Sequence, residues 1–115
     1  MSVIYLELNT QKNVNKGLPV YEKSVTVGAG ETSGPIMLED GAGHRDYWQV
    51  AIIPNGGNGR LEFSFSGRET IKTGGGNWVS WGAGNVSSNT SNSLTPVAAV
   101  RVVSVVGSIT LEVLV

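Results

Sequence analysis

The chain has 115 residues, with eight Lys and Arg against nine Asp and Glu, and no cysteine. Without cysteine there is no disulfide framework, thiolate metal site or cysteine nucleophile. With its charges dispersed, the chain lacks the basic run that nucleic acid or an anionic membrane surface demands.

A chain of this length forms one domain and buries enough apolar surface to fold without staples. No apolar stretch reaches the length of about 18 residues that reads as a membrane helix. The opening M-S-V-I-Y-L-E-L-N-T-Q-K has no basic start and turns polar quickly, unlike a secretion signal. The expectation is a single soluble domain over residues 1–115. Its 16 glycines, gathered with Ser, Thr and Asn between apolar runs, punctuate many short strands.

In chain order, Val3 to Leu8 alternates, with Ile4, Leu6 and Leu8 predicted on one face and Tyr5 and Glu7 on the other. Asn9 to Gly17 reads as a polar connection, and Pro19 opens the next extended piece. Val25 and Val27 are predicted inward with Thr26 outward. Gly28 to Gly34 reads as a turn, and Pro35 to Leu38 as a short strand. Asp46 to Ile53 is apolar on both faces, which predicts a central strand covered on both sides. Pro54-Asn55-Gly56-Gly57-Asn58-Gly59 reads as a turn, and Arg60 to Ser66 as its return strand with Leu61, Phe63 and Phe65 inward, so the two runs form a hairpin.

Glu69 to Thr73 reads as a short strand, and Gly74-Gly75-Gly76 leads into Asn77 to Trp81. Gly82 to Ser93 reads as a small-polar loop. Thr95 to Val106 is the longest β-branched run, with Arg101 interrupting a face shared by Val97, Ala99, Val103 and Val105. Gly107-Ser108 is predicted to turn the chain into a last strand whose inner face carries Ile109, Leu111, Val113 and Val115. No run of ten residues has helical spacing. The pattern predicts an all-β domain, a β-sandwich of about eight short antiparallel strands, jelly-roll-like first and immunoglobulin-like as the alternative.

Few residues invite a chemical reading. His44 stands near Glu39, Asp40 and Asp46, a grouping open to a hydrolytic or calcium reading, yet it matches no motif with known mechanics and fits a polar loop. Gly28 to Gly34 lacks the helix and lysine of a phosphate loop, since Pro35 and a strand follow. Trp78 and Trp81, with Trp48 and Tyr47, suggest a sugar platform, but a spacing of three places the two on opposite faces of a regular strand. One then enters the core, and an exposed Trp81 would serve as an interface anchor. Arg101 either lies with its stem over a solvated face or pairs with Glu62 or Glu112. Asn85-Val86-Ser87 and Asn89-Thr90-Ser91 match a glycosylation pattern that also suits ordinary loops. No catalytic, cofactor or metal residue is expected; the candidate interface or ligand contacts are Trp78, Trp81, Tyr47 and Arg101.

The segments G-R-L-E-F-S-F-S, G-G-G-N-W-V-S-W-G-A-G-N-V-S and L-T-P-V-A-A-V-R-V-V-S-V-V-G-S-I-T-L-E-V, within residues 59–115, resemble small structural proteins of tailed bacteriophage virions. The resemblance implies a β-sandwich used in many copies on a capsid or tail, with no chemistry of its own. It implies a head decoration protein that binds major capsid protein or other virion proteins, assembled in the host cytoplasm, with trimers as the expected oligomer. A tail or fibre part is a close variant. The alternative from the residues themselves is a carbohydrate-binding module built on the exposed tryptophans.

Overall fold

Two segments of this sequence are rich enough in β-branched and aromatic residues to run as very long strands, and their pairing organises the domain. The computed structural model describes residues 2–14, 18–42 and 47–115. Its strands are β1 (Ile4–Tyr5), β2 (Glu7–Val14), β3 (Leu18–Val27), β4 (Ile36–Met37), β5 (Trp48–Ser64), β6 (Val79–Ser80), β7 (Thr90–Leu94) and β8 (Ala99–Leu114), with one helix, α1 (Arg68–Lys72). The protein is therefore nearly all-β, with eight strands as the sequence predicts, although two are much longer than expected.

β5 and β8 pair antiparallel from Gln49 opposite Leu114 to Ser64 opposite Ala99. The expected hairpin over residues 46–66 is thus corrected: Pro54 to Gly59 does not reverse the chain but continues the strand. Gly107-Ser108 likewise lies inside β8 and turns nothing. Turn-type residues here make two offset bulges. Between Asn55↔Ser108 and Asn58↔Val106, β5 places two residues against one; between Asn58↔Val106 and Gly59↔Ser104, β8 carries one extra, Val105.

An extra residue flips which alternate side chains point inward. In β5 the inward set is Trp48, Val50 and Ile52 before the bulge and Leu61 after it. In β8 it is Val100 and Val102 before and Ile109, Leu111 and Val113 after. Because both strands flip, apolar partners stay matched, Ile52 with Leu111 and Leu61 with Val102. In the run from Thr95 to Val106, Ala99, Arg101 and Val103 share one face as the alternation predicts, the outer one, and Val105 departs from it as the exposed bulge residue.

The remaining strands flank this pair. β3 borders the second half of β8, and β4 borders the first half through Ile36 opposite Val100. β1 pairs parallel with β4 and β2 antiparallel with β3, while Leu6 between them donates its N–H to the Met37 carbonyl at 2.9 Å. One continuous segment therefore closes that side of the sheet. Along the other edge of β5, β7 lies opposite Trp48 to Ile52 and β6 opposite Glu62 and Phe63. Inward residues from both halves of β5 and β8 join one core with Leu6, Ile36 and Trp81. The sheet thus folds over itself into two facing layers, a sandwich that is nearly a closed barrel.

Several further expectations are corrected. Asn9 to Val14 belongs to β2 rather than to a connection, and Thr90 to Leu94 forms β7 within the expected loop. Leu8 (47% exposed) and Phe65 (64%) lie outside the core. The first part of β5 is covered on one side only, since Gln49 faces solvent opposite the buried Trp48 and Val50. Residues 68–72 are helical, not extended: the Ile71 N–H bonds to the Gly67 carbonyl, Glu69 and Lys72 suit the two ends of the dipole, and Ile71 packs with Met37 and Ala99 in a second small cluster. So short a helix depends on that packing.

The bulge also explains one glycine requirement. A Cβ on Gly57 would overlap the Val106 carbonyl, whereas Gly30, at φ +74°, has open space around it. Gly57→Ala is expected to cost about 3 kcal/mol by clash, and Gly30→Ala about 1–2 kcal/mol by backbone conformation alone. Urea denaturation of both variants checks this; equal losses would disprove the close approach.

Candidate functional site

The outer surfaces of the two layers differ. On the layer holding β4, the second part of β5, β6 and the first part of β8, the middle of the outer face is covered, while β6 at its edge is exposed. Ser64 and Ala99, directly opposite each other, are fully buried. Beside them Glu62, 8% exposed, faces Arg101 across the ladder. Arg101 donates from Nε to Glu62 Oε1 at 2.8 Å, and its Nη2 approaches the same oxygen at 2.6 Å. Arg60, two residues along and on the same face, donates from Nε to Glu62 Oε2 at 3.0 Å and from Nη1 to Asn85 Oδ1 at 3.4 Å. The Arg101 guanidinium lies over the Trp78 ring, 4.2 Å from its centroid.

These contacts decide the state of the carboxyl. Burial pushes the Glu62 pKa up, but hydrogen bonds and charge from Arg101 and then Arg60 outweigh it and hold the group below its ordinary 4.5. One buried carboxylate satisfied by two arginines is a structural clamp joining β5 to β8, with both oxygens occupied. Arg101 thus takes the paired arrangement rather than the solvated one, with Glu62 and not Glu112 as partner.

The tryptophans separate as their spacing predicts. Trp81 is 3% exposed in the main core and donates from Nε1 to the Gly84 carbonyl at 2.8 Å. It presents no face to a partner, which removes it as an exposed anchor. Trp78 is half-buried against the small cluster on the outer side, one face taken by Arg101. Tyr47 is exposed (57%) at the entry to β5, far in register from the Arg101 clamp. The structure therefore unites Trp78 with Arg101 but leaves Trp81 and Tyr47 apart from them.

Asp40 is engaged by cations. Arg68 Nη2 lies 2.9 Å from its Oδ1 and Lys72 Nζ 3.3 Å from its Oδ2. Lys72 first and Arg68 second hold its carboxyl below the ordinary value. His44 and Asp46 lie outside the described residues. Among the described residues, no group of three His, Asp or Glu is placed to hold a metal ion.

The other layer, of β2, β3, the second part of β8, the first part of β5 and β7, has an open outer face. Ser24, Glu112, Ala51 and Ser91 stand opposite one another in a row across four strands. On one side runs the row Glu22, Leu114, Gln49 and Ser93, and on the other Thr26, Thr110 and Ile53. Three of the four central residues are small, so the middle row forms the floor of a trough of about 560 Å³ running across the strands. Thr26 and Thr110 share a 2.8 Å hydrogen bond along one bank, and Ser93 Oγ donates to Gln49 Oε1 at 2.8 Å on the other. Sequence reading missed this trough because its residues come from five separate strands, and only the register brings them together.

No family model matches the chain, and no curated protein matches it in sequence. Among solved structures it resembles oxalate oxidase, with 14% identity and a TM-score of 0.50 over 85% of this chain and 43% of that one. It also resembles Peruvianin-I, a cysteine peptidase from Thevetia peruviana latex (10% identity, TM-score 0.44, 85% and 52% covered). A third match is a Bacillus endospore appendage, of a family of disulfide-linked pili (11% identity, TM-score 0.38, 83% and 86% covered). The chain spans less than half the length of the oxalate oxidase chain, and at such identity that likeness concerns the fold alone.

The clamp carries a pH signature. Because the folded pKa of Glu62 lies below 4.5, its contribution is fully present above that value and is lost as pH falls through the folded pKa. Glu62→Gln is expected to cost about 2 kcal/mol at pH 7, and the gap to wild type should close in acid. Denaturation at pH 7 and pH 3 tests this; a gap of the same size at both would refute the clamp.

Proposed function

We propose that this protein is a virion structural component, a decoration protein that binds and stabilises neighbouring coat subunits of a tailed bacteriophage capsid, without catalysis of its own. The resemblance of residues 59–115 to such proteins supports the virion assignment. The observation that carries the binding role is the contrast between the two outer faces: the middle of one is covered, with Glu62 held by two arginines, while the other is an open, polar sheet face with side chains in regular rows. A broad face of that kind offers rows of hydrogen-bonding groups to another protein, and a typical interface carries about ten direct hydrogen bonds. The fates of the tryptophans count against the carbohydrate alternative, since Trp81 is in the core and Trp78 is stacked on Arg101. Major capsid protein is the partner in this reading, the virion the location, and a homotrimer the assembly.

Light scattering of the purified protein, alone and mixed with coat-protein shells of tailed phages, tests the proposal. The expected results are a particle about three times the 12.1 kDa of one chain and saturable attachment to shells in a fixed ratio. A monomer that leaves every shell bare would overturn it, and glycan-array binding would then be the next measurement.

A further inference from the structure

The trough on the open face has a shape and a charge that specify what fills it. Strands lie about 4.8 Å apart, so a trough crossing five of them is roughly 19 Å long, the length of about six residues of extended chain. Its floor is the row of Ser24, Ala51 and Ser91, short enough to admit a backbone lying across the strands. Its hydrogen-bonding groups, the hydroxyls of Ser24 and Ser91 and the amide of Gln49, suit peptide groups.

Charge narrows the choice of occupant. Among the described residues, the trough is lined by Glu7, Glu22 and Glu112 and by the cation Lys23. Lys23 is already committed, its Nζ 2.7 Å from Glu7 Oε1. Glu112 projects from the central strand of this layer, flanked by Ser24 and Ala51. Glu112 therefore sets a negative charge in the middle of the trough, while the chain as a whole is nearly neutral, at −1. A cationic segment would find complementary charge there, and an anionic one would be repelled.

We propose that this trough is the docking site for an extended, Lys- or Arg-bearing segment of a partner protein, laid across β2, β3, β8, β5 and β7 with its basic side chain on Glu112. This rests on the reading of the protein as a coat-binding part and names the surface through which it binds. The trough differs from edge-strand pairing, because the segment crosses the strands instead of extending the sheet.

The probe is a fluorescein-labelled hexapeptide of alternating lysine and serine, with its glutamate-serine counterpart as control, titrated into the full chain at low salt. The lysine peptide should bind at least tenfold tighter than the glutamate peptide. Glu112→Lys should weaken it tenfold or more, whereas Glu69→Lys on α1 should change it less than twofold. Amide chemical shifts of the unaltered protein provide a readout that no folding defect can obscure, and the movements should centre on residues 24, 51, 91 and 112. Equal binding of both peptides, shifts centred elsewhere, or a Glu112→Lys protein that stays folded and binds as wild type would each overturn the proposal. Shell attachment separates the two readings. Shells that bind wild type and Glu112→Lys equally well overturn the trough but leave the coat-binding role intact. If no shell binds either protein the role fails, and the peptide titration alone decides the trough.

Discussion

The pairing of β5 with β8 is the constraint on which the other elements depend. Both strands exceed fifteen residues, and both carry an extra residue near their middle. A single bulge would set the inward side chains of one strand against the outward ones of the other. Two bulges, one in each strand, restore the match and let the pair bend, so that one ladder supplies both layers of the sandwich. β3 and β4 can then border different halves of β8, and the segment of β1 and β2 can span from one layer to the other. The Glu62 clamp sits just beyond the bend, where it fixes β5 to β8 on the outer side.

This bend also marks the limit of what the sequence shows. Period-two alternation identified Val25 and Val27 and the inner-face residues at 109, 111 and 113, whereas residues 46–53 read as covered on both sides and the first part of β5 is covered on one. Within β8, the face that alternation gave to Ala99, Arg101, Val103 and Val105 breaks only at Val105, the extra residue of the β8 bulge. Asn55-Gly56-Gly57 has the composition of a hairpin turn, and only the long-range partner at Val106 and Gly107 shows it to be a bulge. The five helical residues were unreadable for another reason. R-E-T-I-K offers a single apolar residue, and its conformation is set by the pocket of Met37 and Ala99 that receives Ile71.

The chemical expectations divide in the same way. The opposed directions of Trp78 and Trp81 follow from local geometry and were legible. The role of Arg101 depended on which carboxylate the register brings opposite it, and that is Glu62. The trough was not legible at all, being a property of five strands side by side. What distinguishes the two outer faces is cover: α1 and Trp78 shield one, and no described element crosses the other. A protein that meets partners through a sheet face needs this asymmetry, since one side must be finished and the other left available.

The distant pairing of β5 and β8 has a consequence for how the chain reaches its native state. Gln49 waits for Leu114, and Tyr21 exchanges backbone hydrogen bonds with Val115. Neither layer has its central ladder until β8 is present, so the folding transition state must close long loops first. Until then the W-Q-V-A-I-I stretch of β5 is an unpaired apolar strand, the kind of segment that self-associates. Slow folding with a strong concentration dependence of yield follows from that topology, and conditions that dilute the nascent chain should recover more native protein.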